Sequence, residues 1–372
     1  MGLFGRLRRR RVGPPPNRQS SVILEVTTRC NLRCRYCYNV WNGRAYPREE
    51  LDTASMRRLI TRICAQTGCD LLTFTGGEPL LREDLEDLVA HTRKAGVGVN
   101  LITNGALIDA PRAVALVEAG VGLFETPLLG SERRLAMDLH GDDALAATQE
   151  AILLIREAGG EVVTAFVATA RNIAQALDAA EISFALGAAG MMFNRFNPGG
   201  RGCREADALM PPPDTLAEAL AALDRFVEET GFPVSCSIPI HPCILDVRPF
   251  GNLSFGSCAA ATPRAYYTVD PMGRLRMCNH SPGILGDLME EDFSVLTAPS
   301  KVGPFIDPVP DDCVGCLRLS ECRCGCRAGA ESCYGTVSLP DPYLRRFGTG
   351  PILEESSSSE SPGSRRPGDV PP

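Results

Sequence analysis

Eight residues shortly after the apolar run of residues 22–26 read Cys30-Asn31-Leu32-Arg33-Cys34-Arg35-Tyr36-Cys37. Its cysteines have the spacing C-x3-C-x2-C, which sixteen cysteines scattered over 372 residues would produce by chance only about 3% of the time. Three thiolates on one loop can hold three corners of a 4Fe–4S cube, which normally takes four, so one iron stays open for a ligand. Zinc is the alternative, but a structural zinc site takes four protein ligands, and no nearby Cys or His completes this one.

Around this loop, short apolar runs alternate with amphipathic segments. Six runs have the length and composition of buried parallel strands, at residues 22–26, 71–74, 97–102, 121–124, 162–167 and 191–196. Helical segments separate them, at residues 54–66, 83–95, 111–119, 144–158 and 215–230. Six β/α units predict an α/β fold whose parallel sheet curls into a partial (β/α)6 TIM-like barrel. A flat, doubly wound sheet is the competing topology, because periodicity alone does not exclude it.

Composition limits the function classes. A net charge of −7 gives no general reason to expect a nucleic-acid partner, and no apolar run approaches the roughly 18–20 residues of a membrane helix. The basic N-terminal run lacks the apolar stretch of a secretory signal, which predicts a cytoplasmic location. Ten of the sixteen cysteines lie at or after Cys236. Clustered cysteines in a reducing compartment indicate metal binding rather than disulfides.

The chain divides into four predicted parts. Residues 1–20 form a flexible basic and Pro-rich arm, and residues 21–232 form the core with the six β/α units. Residues 233–345 are rich in Cys, Pro and Gly and have little apolar core of their own, so we expect a second domain held together by metal. Residues 346–372 are rich in Ser, Pro and Gly and are predicted to be a disordered tail.

Three further motifs follow predicted strands. Gly76-Gly77-Glu78-Pro79 follows the second strand, Thr103-Asn104-Gly105 the third, and Asn197-Pro198-Gly199-Gly200-Arg201-Gly202 the sixth. The first two also read as ordinary turns. The paired glycines permit a close backbone approach to a ligand. In a barrel, all these segments share the carboxyl-terminal rim, where such scaffolds carry their sites.

With these motifs together, the sequence resembles the radical S-adenosylmethionine (SAM) superfamily. The resemblance implies that Cys30, Cys34 and Cys37 hold a 4Fe–4S cluster whose open iron binds SAM, and that reduction releases a 5'-deoxyadenosyl radical. It places Tyr36 near the adenine. It further implies SAM-binding roles for these residues: Gly76, Gly77, Glu78, Pro79, Thr103 and Asn104. Relatives carry an acidic ribose contact after the fourth strand, but residues 126–131 here contain no acid, so we assign none.

The C-terminal cysteines resemble those of the SPASM domain, which carries two auxiliary 4Fe–4S clusters. Cys258 precedes Gly273-x4-Cys278, and later comes C-x2-C-x5-C-x3-C followed by Cys333. The resemblance implies one cluster on Cys313, Cys316, Cys322 and Cys333. It implies a second cluster on Cys258, Cys278 and Cys326, with Cys243 the nearest candidate for a fourth ligand and Cys236 the next. Zinc ribbons share the paired spacing and are the alternative.

Several reactive residues fall outside these patterns. Cys64, Cys69, Cys203 and Cys324 have no partner in either motif, and we expect ordinary small buried or loop residues there. Glu25, Asp270, His280 and Arg195 could act as acid–base or SAM-contact groups. We expect structural roles for these four, because no second motif selects any of them.

The resemblance implies an enzyme that oxidatively modifies a peptide or protein side chain, by a thioether or carbon–carbon crosslink or by forming formylglycine. Its expected partners are the peptide or protein substrate and an electron donor such as flavodoxin or ferredoxin. A separate leader-recognition protein is expected too, because no leader-gripping domain fits before residue 20. The alternatives are a small-molecule enzyme acting on tetrapyrrole side chains, as in haem biosynthesis, and a non-catalytic electron carrier.

Overall fold

The computed structural model of the protein describes residues 18–43 and 46–353. The predicted arm of residues 1–20 lies outside the described residues except for 18–20, and the predicted tail of residues 346–372 lies outside them except for 346–353, of which residues 346 and 347 end a helix. One sheet of 11 strands runs through the described part, with helices packed against it. None of the helices in these two described ranges is both long and apolar enough to cross a membrane.

Six parallel strands form the centre of the sheet and confirm the six predicted runs. They are Ser21–Thr27 (β1), Leu71–Gly76 (β2), Gly98–Ile102 (β3), Val121–Pro127 (β4), Glu161–Ala168 (β5) and Gly190–Arg195 (β6). Their order in the sheet follows their order in the chain. A doubly wound sheet reverses its strand order at a switch point, and these strands do not. The sequential order is that of an unclosed barrel, so the barrel prediction is confirmed over the doubly wound alternative.

Helices connect these strands, as the 3.6-residue periodicity predicts. They are Thr53–Thr67 (α1), Leu85–Lys94 (α2), Ala110–Ala119 (α3), Arg133–His140 (α4), Leu145–Glu157 (α5), Ala176–Ala185 (α6), Ala206–Leu209 (α7) and Pro213–Thr230 (α8). Asp52 starts α1 by accepting the Ser55 N–H at 2.7 Å. Gly120, with φ +106°, ends α3 in the left-handed conformation that favours glycine. The periodicity does not predict α4 and α6.

The strands have an apolar face and a polar inner face. Leu24 of β1 and Phe124 of β4 are fully buried in the larger apolar cluster, which α1, α2 and α3 cover. A second cluster fills the space between β5, β6, α6 and α8. Successive strand residues point to opposite faces. Glu25 and Glu125, next in sequence to Leu24 and Phe124, therefore lie on the inner face.

The cysteine-rich C-terminal part extends both edges of the same sheet. Val234–Cys236 (β7) and Ser254–Phe255 (β8) continue in parallel beyond β6. At the other edge, Thr268–Val269 (β9) pairs in parallel with β1, and Arg274–Arg276 (β10) and Ile284–Asp287 (β11) follow antiparallel. The remaining helices are Phe293–Leu296 (α9), Pro299–Ile306 (α10), Leu319–Cys322 (α11), Arg327–Tyr334 (α12) and Pro342–Phe347 (α13). Because the two parts share a sheet, the predicted boundary at residue 232 stays a prediction.

A buried charged group joins the last helix to the barrel. Asp341, at the start of α13, and Arg195, in β6, have fully buried side chains, and Oδ2 of the first lies 3.0 Å from Nη2 of the second. His241 Nε2 lies 2.9 Å from the same oxygen, which also accepts the Cys326 N–H at 3.0 Å. Burial alone would raise the pKa of Asp341, but the charges of His241 and Arg195 hold it well below its usual range. These charges fasten the C-terminal part to β6.

We expect Asp341→Asn to lower the free energy of unfolding by about 3–5 kcal/mol, because Arg195 then stays buried without its counter-charge. Denaturant unfolding of the anaerobic protein, followed by circular dichroism, measures the change. The matched control is Asp207→Asn, whose ion pair with Arg346 is exposed. Exposed pairs contribute about 0–1 kcal/mol. Equal effects of the two substitutions would contradict a stabilising role for the buried group.

Candidate active site

Residues 28–39, named here the cysteine loop, leave the carboxyl end of β1 and carry the three predicted cluster ligands. Cys30 is exposed, Cys34 and Cys37 are half-buried, and all three are free thiols. Asn42 Nδ2 donates to Cys37 Sγ at 3.4 Å. The loop lies at the end of the strands where barrel scaffolds carry their sites.

The electrostatics of these thiols fit a metal cluster. The pKa of Cys34 is raised to about 12, chiefly by burial and to a smaller extent by the negative charge of Cys37. Burial raises the pKa of Cys37 as well, partly offset by hydrogen bonds from Asn39 and Asn42. Thiolates gathered here would repel each other unless positive charge neutralised them. Iron bound to sulfur supplies that charge, so the donor set fits the group that the sequence predicts.

A single metal ion requires a different arrangement. Within residues 18–43 and 46–353, no three His, Cys, Asp or Glu side chains converge closely enough to hold one ion. The ligands of one zinc ion share a point about 2.0–2.3 Å from each donor atom. The cysteines of a 4Fe–4S cube bind separate irons and point toward different corners. The cluster at the three thiols stays a prediction.

Gly76 and Gly77 lie so close to neighbouring backbone that neither position has room for a side chain. This explains both glycines without any approach to a ligand. A Cβ on Gly77 would overlap the Arg29 carbonyl oxygen and lie 2.5 Å from its carbon, and a Cβ on Gly76 would overlap the Thr27 carbonyl oxygen. The Gly77 N–H donates to the Thr27 carbonyl at 2.8 Å, and the Glu78 N–H donates to the Arg29 carbonyl at 2.7 Å. These glycines therefore let the end of β2 bind the backbone just before Cys30.

Glu78 joins the predicted SAM-binding segments to each other. Its side chain is fully buried, and burial raises its pKa. Oε1 accepts the Thr103 hydroxyl at 2.7 Å and the Leu80 N–H at 3.0 Å, and Oε2 accepts the Asn104 N–H at 2.8 Å. Asn104 Nδ2 in turn donates to Asn31 Oδ1, in the cysteine loop, at 2.8 Å. One carboxylate thus brings the ends of β2 and β3 and the cysteine loop to one place.

His140, at the end of α4, packs against the cysteine loop and is not predicted from the sequence. Its Nδ1 lies 3.3 Å from the Tyr36 hydroxyl and 3.7 Å from Cys34 Sγ. Burial lowers the pKa of His140 to about 4, so the ring is neutral at pH 7. Tyr36 thus contacts His140 in this structure, and its predicted place near an adenine stays a prediction. The sequence offers no signal for His140, because periodicity does not reveal α4.

The loop of residues 197–202 closes the other side of the cysteine loop. The Gly202 N–H donates to the Cys37 carbonyl at 3.1 Å, and Arg201 Nη1 donates to the Cys34 carbonyl at 3.2 Å. Gly200 has φ +48°, and a Cβ there would overlap the Asn39 carbonyl oxygen. Residues 197–202 therefore pack against the cysteine loop and place the guanidinium group of Arg201 beside it.

Comparisons with known proteins agree with this geometry. A model of the radical SAM superfamily matches residues 24–175, which run from β1 past β5 and include the cysteine loop and Glu78. The chain is 28% identical over 336 residues to a PqqA peptide cyclase of Gluconobacter oxydans, covering 88% of this chain and 90% of that protein. It is 27% identical to one of Xanthomonas campestris, covering 94% and 93%. The chain carries a radical SAM domain at residues 24–175.

Solved structures share the fold of this radical SAM protein along most of its length. A native anSMEcpe with bound AdoMet has a TM-score of 0.65 at 20% identity and covers 88% of this chain and 94% of its own. Streptococcus suis SuiB bound to its precursor peptide SuiA has a TM-score of 0.67 at 14% identity and covers 88% and 74%. At these identities the likeness concerns the fold alone, and it extends into the C-terminal part.

The C-terminal cysteines of the radical SAM protein form two groups. Cys258, Cys278 and Cys326 make the first, and their charges act on one another. Asn197 Nδ2 donates to Cys326 Sγ at 3.1 Å, which connects this group to the loop beside Cys37. The second group lines a small cavity between residues 242–244 and α11, and it contains Cys243, Cys313, Cys316, Cys322 and Cys324.

Cys333 and Cys243 lie apart from the groups that the resemblance implies for them. Cys333 is disulfide-bonded to Cys203, with a Cα–Cα distance of 5.3 Å, and is not in the group of Cys313. Cys203 therefore has a partner. Cys243 lies with Cys313 and Cys316 rather than with Cys258, and Cys324 belongs to the same cavity. Sequence spacing misses these placements because it gives no information about which distant segments meet. Cys236, the second candidate ligand, is buried in the core at β7.

The predicted structural role fits three of the four acid–base candidates. Glu25 is buried and paired with Arg276 of β10. Asp270 accepts hydrogen bonds from the Tyr46 hydroxyl at 2.8 Å and from Arg274 Nε at 2.7 Å, and Arg195 pairs with Asp341. His280 instead stacks on Tyr38, with ring centroids 4.1 Å apart.

The inner face carries one acidic residue that the sequence motifs miss. Burial raises the pKa of Glu125 to about 7, and its negative charge acts on Tyr38, which follows Cys37 in the cysteine loop. The Tyr38 hydroxyl accepts a hydrogen bond from Asn279 Nδ2 at 3.1 Å. Glu125 therefore faces the region between the cysteine loop and the segment after Cys278, where it can exchange a proton near neutral pH.

Proposed function

We propose that this radical SAM enzyme is a peptide maturase that oxidatively modifies a side chain of a ribosomally made peptide. One observation carries the proposal. The chain matches proteins named PqqA peptide cyclase along 88% and 94% of its length, on a fold that brings the cysteine loop, Glu78 and Asn104 together. The relatives are named for a peptide substrate, which favours a peptide over the tetrapyrrole alternative.

In the proposed site, Cys30, Cys34 and Cys37 hold the 4Fe–4S cluster that takes SAM. When bound and reduced, this group supplies a 5'-deoxyadenosyl radical, which removes a hydrogen atom from an unactivated carbon. Glu78 fixes Thr103 and Asn104, and the remaining lone pairs of Oε2 are proposed to accept the methionine amino group of SAM. The His140 ring lies beside both Cys34 and Tyr36 and holds the Tyr36 hydroxyl in place.

We further propose that the two groups of C-terminal cysteines hold auxiliary 4Fe–4S clusters. Burial, and then the charges of neighbouring thiols, raises the pKa of Cys278 to about 12. Burial, followed by the charge of Asp341, raises the pKa of Cys326 to about 11. As in the cysteine loop, such thiols bind as thiolates only where a cation neutralises them. The SPASM-like spacing of these cysteines supports the assignment.

The proposed partners follow from this chemistry. A peptide substrate enters the inner face, where Glu125, Tyr38 and His280 lie between the cysteine loop and the first C-terminal group. A flavodoxin or ferredoxin supplies electrons, and a separate protein recognises the leader of the peptide. Pull-down of the leader peptide with and without a small protein from the same gene cluster tests the last point.

The main test is anaerobic co-expression with a candidate precursor peptide, chosen from short open reading frames adjacent to the gene. We expect a mass loss of two hydrogens, about 2 Da, in the peptide, as a crosslink or another dehydrogenation requires. Mass spectrometry measures it, and tandem spectra locate the changed residue. The same peptide expressed with the Cys34→Ala variant is the control. An unchanged peptide with an enzyme that still makes 5'-deoxyadenosine would contradict the peptide as substrate.

A further inference from the structure

The cavity between residues 242–244 and α11 holds more cysteines than one cluster needs. Cys313, Cys316 and Cys322 come from one segment, in the C-x2-C-x5-C spacing. Cys243 and Cys324 line the same cavity. A 4Fe–4S cube takes one cysteine at each of four separate corners. The fourth ligand beside Cys313, Cys316 and Cys322 must therefore approach the cavity from a different direction.

Cys243 approaches from a separate segment. It lies in the turn that the Ile244 N–H closes by donating to the His241 carbonyl at 2.9 Å, and its own carbonyl accepts the Thr349 hydroxyl at 2.9 Å. It packs against the buried pair of Cys313 and Cys324. Burial, and then the charge of Cys316, raises its pKa, as expected for a sulfur that shares the cavity with the other thiols.

Cys324 fits the fourth corner less well. It lies two residues after Cys322 in the same segment and packs beside Cys313, so it adds no new direction of approach to the three cysteines of that segment. Its backbone has φ +64°, between Arg323 at +55° and Gly325 at +74°. This run of left-handed residues turns the chain between Cys322 and Cys326, so Cys324 belongs to a tight turn.

Cys333 is held away from the cavity. It lies on α12, and its sulfur is bonded to Cys203, in the 3₁₀ turn Gly200–Glu205. The helix fixes the direction of the Cys333 side chain toward that turn. The pair ties α12 to the loop that carries Arg201.

We infer that Cys243, and not Cys333, is the fourth ligand of the auxiliary cluster held by Cys313, Cys316 and Cys322. The inference rests on the auxiliary clusters of the proposed function. It departs from the SPASM-like pattern, in which the last cysteine of the chain completes this set. Cys333 instead cross-links α12 to the turn after β6.

Iron content tests the assignment independently of any substrate. The full chain with Cys30→Ala, Cys34→Ala and Cys37→Ala, reconstituted anaerobically with iron and sulfide, should hold only the auxiliary clusters, about eight irons per chain. Adding Cys243→Ala is expected to alter the electron paramagnetic resonance spectrum of one reduced cluster, because that cluster then lacks its fourth cysteine ligand. Adding Cys333→Ala, Cys203→Ala or Cys324→Ala is expected to leave the spectrum and the iron content unchanged.

The outcomes separate the assignments. A changed spectrum or a loss of iron with Cys333→Ala or Cys324→Ala, together with an unchanged spectrum for Cys243→Ala, would overturn the inference. An iron-free background protein would overturn it together with the auxiliary clusters, whereas failure to modify a peptide would leave the iron counts as expected. If Cys243→Ala does not fold, as judged by circular dichroism, Cys243→Ser provides the spectrum. The serine oxygen of that variant, bound in place of sulfur, should shift the spectrum of one cluster, and an unshifted spectrum would contradict the inference.

Discussion

Cys34→Ala is expected to abolish 5'-deoxyadenosine formation and to remove about a third of the iron, because the cluster of the cysteine loop then has only two cysteine ligands. The remaining contacts of the loop involve backbone groups or other side chains. Arg35 still pairs with Asp138 at 2.8 Å and with Glu205 at 2.6 Å, so the fold should survive. Anaerobic incubation with SAM and dithionite, followed by chromatography, measures the product.

The matched control for this prediction is Cys64→Ala. Cys64 is a half-buried free thiol at the end of α1, and its sulfur contacts Cys69 rather than the cysteine loop. Its removal is expected to leave both the iron content and 5'-deoxyadenosine formation unchanged. Full activity of Cys34→Ala would refute the proposed site, and so would zinc without acid-labile sulfide in the anaerobically purified wild type.

Gly77→Ala is expected to lower 5'-deoxyadenosine formation by about 100-fold, the scale of loss when catalytic groups move by about 1 Å. The added methyl group would overlap the Arg29 carbonyl, a backbone group that cannot rotate away. The cysteine loop must therefore move, and the hydrogen bonds from Gly77 to Thr27 and from Glu78 to Arg29 are weakened or lost. Single-turnover assays with saturating SAM measure the effect.

Gly122→Ala in β4 is the control for Gly77→Ala. The nearest atom to a Cβ there is the Val99 carbonyl oxygen at 3.6 Å, an ordinary contact. This variant should keep its activity, since an alanine is tolerated where the backbone and the space allow it.

The comparison of the two variants also separates two explanations for the glycine at position 77. Contact with SAM alone predicts weaker SAM binding and normal cluster content, whereas displacement of the cysteine loop predicts reduced cluster content as well.

The fold could be predicted because its signals are local. Each apolar run from β1 to β6 is short, rich in branched or aromatic residues and bounded by turn residues, so its length and composition identify a buried strand. The cysteine loop, Gly76 to Glu78 and Asn104 are likewise local motifs, and their shared position at the ends of parallel strands predicts that they meet. α4 and α6 are not predicted, and His140 is missed together with α4.

The barrel, the spacing of the three sulfurs in the cysteine loop and the presence of two further sets of cysteines could be predicted from the chain alone, since each depends on neighbours along it. Long-range packing sets the other contacts: Gly77 accommodates Arg29, His140 lies beside Cys34, Asp341 pairs with Arg195, Cys333 meets Cys203, and Cys243 shares a cavity with Cys316. These contacts join segments up to 146 residues apart. Spacing along a chain fixes which residues can share a turn, but only packing fixes which distant side chains share a cavity.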